Sequence, residues 1–246
     1  MNSFFTEIRQ TLVPDRDGMD GPLPPLMLAM TLVTGLVDAF SYLLLGHVFV
    51  ANMTGNVVFV GFAVAGAQGF STAGSATAIA SFGVGALVGG KIGSRLGQHR
   101  GRLLVFCATI QAAFLAVSVV FASFAGSPIP AGYRYSLIVF LSIAMGIQNA
   151  GARKLGVPDL TTTVLTLTIT GIAADSTFVG GRGSKAGRRS IAVAAMLVGA
   201  LVGAALVVRG HTLYPLALAL VMLIAVAITG SALGKSTPNW IRPGTD

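Results

Sequence analysis

Residues 48–61 read VFVANMTGNVVFVG: two asparagines, a threonine and a glycine in a run otherwise as apolar as lipid. How this stretch sits decides the fold, because the chain around it belongs in hydrocarbon. The chain has 246 residues, 54% of them hydrophobic and 10% charged, with a mean hydropathy of +0.81. Soluble domains carry roughly 25% charged residues, so the composition points to an integral membrane protein. Its apolar runs are long and helix-like, without the alternation of an outer-membrane barrel. The net charge of +8 reads as loop topology and not as nucleic-acid binding, since no basic patch with interleaved aromatics exists. Cys107 stands alone in an apolar run, which excludes disulfides and cysteine-rich metal sites.

Six segments are long enough to cross about 30 Å of hydrocarbon, near residues 24–45, 72–92, 103–125, 133–152, 190–209 and 213–233. Two shorter apolar stretches, 54–66 and 161–174, each follow a polar entry, ANMTGN and GVPDLTTT. Charge decides whether these cross. With eight crossings, nine of the sixteen Lys and Arg would face inward and seven outward. If the two short segments enter and return on one side, only Arg134 and Arg209 face out. Cytoplasmic loops are enriched in Lys and Arg, so six crossings with two re-entrant helices are expected. Residues 1–23 lack the basic start and apolar core of a cleaved signal and read, with 236–246, as cytoplasmic tails.

The two halves echo each other. Gly35-Leu-Val-Asp38-Ala39 resembles Gly146-Ile-Gln-Asn149-Ala150, and Asn52-Met-Thr54-Gly-Asn56-Val57 resembles Asp159-Leu-Thr161-Thr-Thr163-Val164. Gly85-Ala-Leu-Val-Gly89 recurs as Gly199-Ala-Leu-Val-Gly203, in the same order. The expected fold class is therefore an all-α polytopic membrane protein with a 3+3 inverted repeat, residues 24–125 and 126–235, a layout recurrent in transporters. Non-helical backbone at membrane depth is tolerated where protein buries it or water lines it, which suggests a shared central cavity. The small-xxx-small glycines suit tight packing between the halves, with a homo-oligomer as the other use.

These residues also resemble a known family. Asp38-Ala39, Phe49 with Thr54-Gly55-Asn56, Gly61 and the threonine-rich TTTVLTLTITG are similar to the YoaK-like family over roughly residues 25–235. The resemblance implies a small bacterial inner-membrane protein with about six spans and a transporter-like layout. It supplies no substrate.

Asp38 is the sharpest functional candidate, about 14 residues and so roughly 21 Å into the first crossing. An acid inside a span costs about 2.5–3.5 kcal/mol on insertion scales and normally faces a cavity or a partner. It reads as a proton or sodium carrier, or as a structural acid bonded to the Asn52–Asn56 loop. Asn149, its repeat partner, and Gln148 offer amides that do not titrate, for substrate or for interhelical bonding. Asn52 or Thr54 can cap the first short helix and Asp159 or Thr161 the second. Gly55 and Gly61 permit close backbone approach. A helix starting at membrane depth points unpaired N–H groups inward and favours anions. Asn52, Thr54, Gly55, Asn56, Gln148, Asn149, Thr161 and Thr163 are thus the expected substrate-binding set. Arg153 is a possible anion contact beside Lys154, with Asp175 able to pair with either. The basic 91–102 and 182–189 loops read as topology determinants on anionic lipid.

No catalytic motif appears. His47, His99 and His211 are scattered, with no HExxH and no GxSxG elbow, so no enzyme, metal or cofactor is expected. The lipid bilayer and a small solute or ion are the expected partners. The favoured function is a secondary transporter of a small anionic or polar solute, coupled to protons through Asp38. A passive channel of the same architecture, or a non-transporting assembly or lipid-handling factor, remain as alternatives.

Overall fold

Local signals start and stop the helices. A computed structural model describes residues 2–15, 18–126, 128–160, 162, 165–176, 180, 185–234 and 240–241. Among these residues lie α1 (Asn2–Leu12), α2 (Leu23–Leu44), α3 (Met53–Val64), α4 (Thr72–Leu96), α5 (Arg100–Ala125), α6 (Ala131–Leu155), α7 (Leu165–Ala174), α8 (Ala186–Val208) and α9 (Tyr214–Leu233). Prolines sit in the first turns of α2 and α9, where a missing N–H costs nothing. Ser71 caps α4 by accepting from Gly74 N at 3.0 Å, and His99 caps α5 by accepting from Arg102 N at 3.1 Å. Gly156, in the left-handed region, ends α6.

Six of these helices, α2, α4, α5, α6, α8 and α9, are long and apolar enough to cross a bilayer, and α3 and α7 are the two shorter apolar helices. All eight coincide with the segments expected from hydropathy. The central pair is α2 and α6, mostly buried, while the other four leave most of their apolar surface open. Around that pair α8 packs on α2 and α4 on α6; α9 packs on α2 and α5 on α6; α5 meets α9; α3 lies on α4 and α7 on α8. Exchanging α2–α5 for α6–α9 turns each of these pairings into another, except α5 with α9, which it returns to itself.

The correspondence reaches single atoms. A β-carbon on Gly35 would fall on the Met196 carbonyl and 2.6 Å from Ala200 N. One on Gly146 would fall on the Phe82 carbonyl and 2.8 Å from Ala86 N. Gly89 and Gly203 face Ala150 and Ala39, each with a β-carbon position under 3 Å from the opposing methyl (2.8 and 2.9 Å). Small residues here let backbones touch, the usual basis of helix association in lipid. These glycines therefore join α4 to α6 and α8 to α2 within one chain.

Helices α2 and α6 run antiparallel. The turn after α2 approaches Arg134, at the start of α6, 3.7 Å from a β-carbon on Gly46. At the other end Arg100 joins Met19 and Asp20, before α2, to Leu155, the last residue of α6.

Both presumed tails carry structure. Residues 2–12 form α1, which packs on α8 through Glu7, whose carboxylate accepts from Gly187 N at 2.8 Å. Beyond α9, Trp240 is fully buried against Gly21 and Gly101.

Candidate functional site

Between α2 and α3 the chain turns back into the bundle with no ladder to satisfy it. Three successive backbone N–H groups find side chains instead. Val50 N and Ala51 N donate to Oδ1 of Asp38 at 3.1 and 2.9 Å, and Phe49 N donates to Oδ1 of Asn56 at 3.0 Å. The same amide donates back to Phe49 O at 2.6 Å. Asn52 caps α3 by accepting from Gly55 N at 3.3 Å. Gly55 is glycine because a β-carbon would lie 2.9 Å from the Phe49 ring, which stacks on Tyr42 at 4.8 Å and on Phe59 at 5.7 Å. Each buried N–H left without a partner would cost about 1–3 kcal/mol. The polar residues of VFVANMTGNVVFVG are therefore what lets backbone lie in an apolar interior. Asp38, Phe49, Gly55 and Asn56 form one physical unit, although they span eighteen positions of the chain (38 to 56).

A family model described as a protein of unknown function, DUF1275, matches residues 26–229. The chain belongs to the DUF1275 family. A relative, the UPF0700 transmembrane protein YoaK of Bacillus subtilis (strain 168), is 34% identical over 150 residues, covering 61% of this chain and 65% of YoaK. No solved structure matches. This DUF1275 chain is thus a membrane protein of a family whose activity is open.

The second short segment is held differently. Arg189, on the first turn of α8, donates from Nε to Asp159 Oδ1 at 2.8 Å and from Nη1 to Asp175 Oδ2 at 2.7 Å. Asp159 precedes α7 and Asp175 follows it, so both ends of the segment converge on one guanidinium, which also lies against Gly171. In the first segment His47 Nδ1 meets Gly69 O at 2.9 Å, so that segment also begins and ends together.

Several expectations need correction. Asp159 pairs with Arg189 and, at 3.9 Å, Lys185; the residues at which it would cap α7 lie outside the described residues. Asp175 pairs with Arg189 and not with Arg153 or Lys154, because α8 places Arg189 between the two acids; Arg153 is exposed on α6. Thr54 is exposed, and Gly61 has open space around it, so it serves no close approach. Gln148 lies fully buried at the α2–α6 crossing, where Nε2 donates to Thr34 Oγ1 at 2.8 Å. Asn149 donates to Met145 O at 3.0 Å. Asp38 lies four residues beyond Thr34, about 6 Å towards the Arg134 end, and Asn149 lies towards the opposite end, since the helices are antiparallel. Repeat mates are thus placed on either side of the crossing. Thr161 and Thr163 lie outside the described residues.

The short helices also do not pack between the halves. Their main helical neighbours are α4 and α8, and Val57, Phe62, Val64, Leu167 and Ile169 remain exposed. Apolar helices gain nothing from hiding such side chains from lipid. The acceptor at the N-terminal side of α3 is the protein's own Asp38 carboxyl.

Asn56 offers a direct check. Asn56→Asp keeps an acceptor for Phe49 N, loses the donor to Phe49 O and sets a carboxylate against that carbonyl. It is expected to destabilise by about 2–3 kcal/mol, seen as a lower thermal unfolding midpoint. An unchanged midpoint would show that this pair does not hold the bend.

Proposed function

We propose that the protein is a secondary transporter of a small polar solute, with Asp38 as its proton-carrying group. The observation that carries this reading is the placement of a buried acid, more than halfway along a central span, directly on the backbone of the segment that precedes α3. Among the described residues Asp38 forms no ion pair. A carboxylate accepts strongly from N–H groups, whereas a protonated carboxyl becomes in part a donor. Loading a proton therefore weakens the hold of α2 on residues 50 and 51 and frees the 47–69 segment to shift against α4. A solute bound to only one of the two arrangements is then coupled to the proton, since a ligand moves an equilibrium by its difference in affinity.

The paired helix contacts support an inverted repeat with α3 and α7 as re-entrant helices. The gathering of Lys and Arg at the Arg100 end supports a bacterial inner-membrane protein with that end and both termini on the cytoplasmic side. There Arg100 binds Leu155 O, Met19 O and Asp20, and Trp240 packs beside it against Gly21 and Gly101.

The test is proton movement in liposomes holding a pH-sensitive dye, with pooled metabolites, comparing wild type with Asp38→Asn. Solute-dependent proton uptake that disappears in the variant is expected. Flux that survives the substitution and only runs downhill would replace the carrier by a channel. Silence from folded protein across the pools would remove the transporter reading in favour of a non-transporting role.

A further inference from the structure

The α2–α6 crossing holds a polar cluster unlike anything around it. Gln148 Nε2 donates to Thr34 Oγ1 at 2.8 Å and Gln148 Oε1 accepts from Gln111 Nε2 on α5 at 2.5 Å. Thr34, Gln111 and Gln148 are all fully buried. Among the described residues Gln111 Oε1 has no partner, and neither does the buried hydroxyl of Ser142, six residues before Gln148 on α6. An amide oxygen stranded in an apolar interior costs about 1–3 kcal/mol. Gln111 thus carries an acceptor that the folded chain itself leaves unused.

We propose that this cluster binds the solute, and that the group it takes is a hydrogen-bond donor, cationic or neutral, and not an anion. Gln111 Oε1 can only accept. The Thr34 hydroxyl donates to Met30 O at 3.0 Å, so its oxygen also faces the cluster as an acceptor. The nearest charged side chain along α2 is Asp38, one helical turn from Thr34, and it is an acid. The one buried base among the described residues is Arg100, which lies at the bundle end and is engaged by Asp20 and two carbonyls. The N–H groups before α3 already carry Asp38. Transporters of this layout bind substrate near mid-membrane where their repeats meet, and the α2–α6 crossing is that place here. The proposal rests on the transporter reading and names the chemistry of its substrate.

The experiment is thermal unfolding of the purified protein at matched ionic strength with three small probes: methylammonium chloride, acetamide and sodium acetate. Methylammonium or acetamide is expected to raise the midpoint with concentration, following the factor 1 + [L]/Kd. Acetate, against a chloride control, is expected to leave it unchanged, and Gln111→Leu to abolish the rise. A rise with acetate, no rise with either donor, or a rise that persists in Gln111→Leu would overturn the proposal. Should Gln111→Leu fail to fold, Gln111→Met, similar in length and without the acceptor oxygen, supplies a second variant: it is expected to abolish the rise, and a rise that persists in it would overturn the proposal. Probe binding without any solute flux would keep the site and remove the transporter reading. Proton-coupled flux without donor binding would do the reverse.

Discussion

Asp38→Leu is expected to lose about 2–6 kcal/mol of stability, because it strands the N–H groups of Val50 and Ala51 at about 1–3 kcal/mol each. Asp38→Asn retains an oxygen in the same place and is expected to remain folded, with a midpoint far closer to wild type. The contrast separates two duties of one side chain. An acceptor of any charge holds the bend, whereas only an acid can carry a proton. Thermal unfolding of the three proteins in detergent reads the first duty, and the liposome assay reads the second. If the leucine variant unfolds at the same midpoint as the asparagine variant, the Asp38 side chain is not what keeps residues 50 and 51 in place.

The second large effect belongs to Gly35 and Gly146. At either position even a methyl group meets the backbone of the facing helix: the Met196 carbonyl for Gly35, the Phe82 carbonyl for Gly146. Backbone cannot swing aside as a side chain can, so the helices must separate. Overpacking typically costs about 1–3 kcal/mol, occasionally more, and here it also removes the close contact that joins the halves. Gly35→Ala and Gly146→Ala are both expected to depress the yield of folded monomer and the unfolding midpoint, by similar amounts. Gly61→Ala and Gly83→Ala, where the added carbon meets nothing within 4 Å, are expected to be near neutral. A tolerant Gly146 beside an intolerant Gly35 would break the equivalence of the halves.

Much of this was legible before any coordinates. Apolar run length exposes the six long helices and both short ones, because lipid imposes one length on every span. Asp38 and the Asn52–Asn56 cluster stand out because polar groups in hydrocarbon are rare. Gln111 carries the same signal, a lone amide inside an apolar run, and was passed over because nothing beside it in sequence forms a motif. Arg189 could not be found this way. Its partners are 14 and 30 residues distant, and in sequence it is one more base in a loop whose bases already have an explanation in topology. Helix α1 is foreshadowed by Phe4, Ile8 and Leu12 at helical spacing, a pattern that mixed charges obscure. Trp240 had no such signal, since only the folded chain brings it under Gly21 and Gly101.

The two short segments are fastened by different chemistry, and the difference assigns them unequal parts. One is tied by the Asp38 carboxyl on two backbone N–H groups and by the His47 ring on the Gly69 carbonyl. The other is tied at both ends by a guanidinium, which does not give up its proton in proteins. The first fastening is therefore one acid on neutral backbone N–H groups, the second a charged cluster of one base between two acids. On the transporter reading proposed above, the first segment is the one expected to move and the second the one expected to stay, although the two halves are alike in architecture.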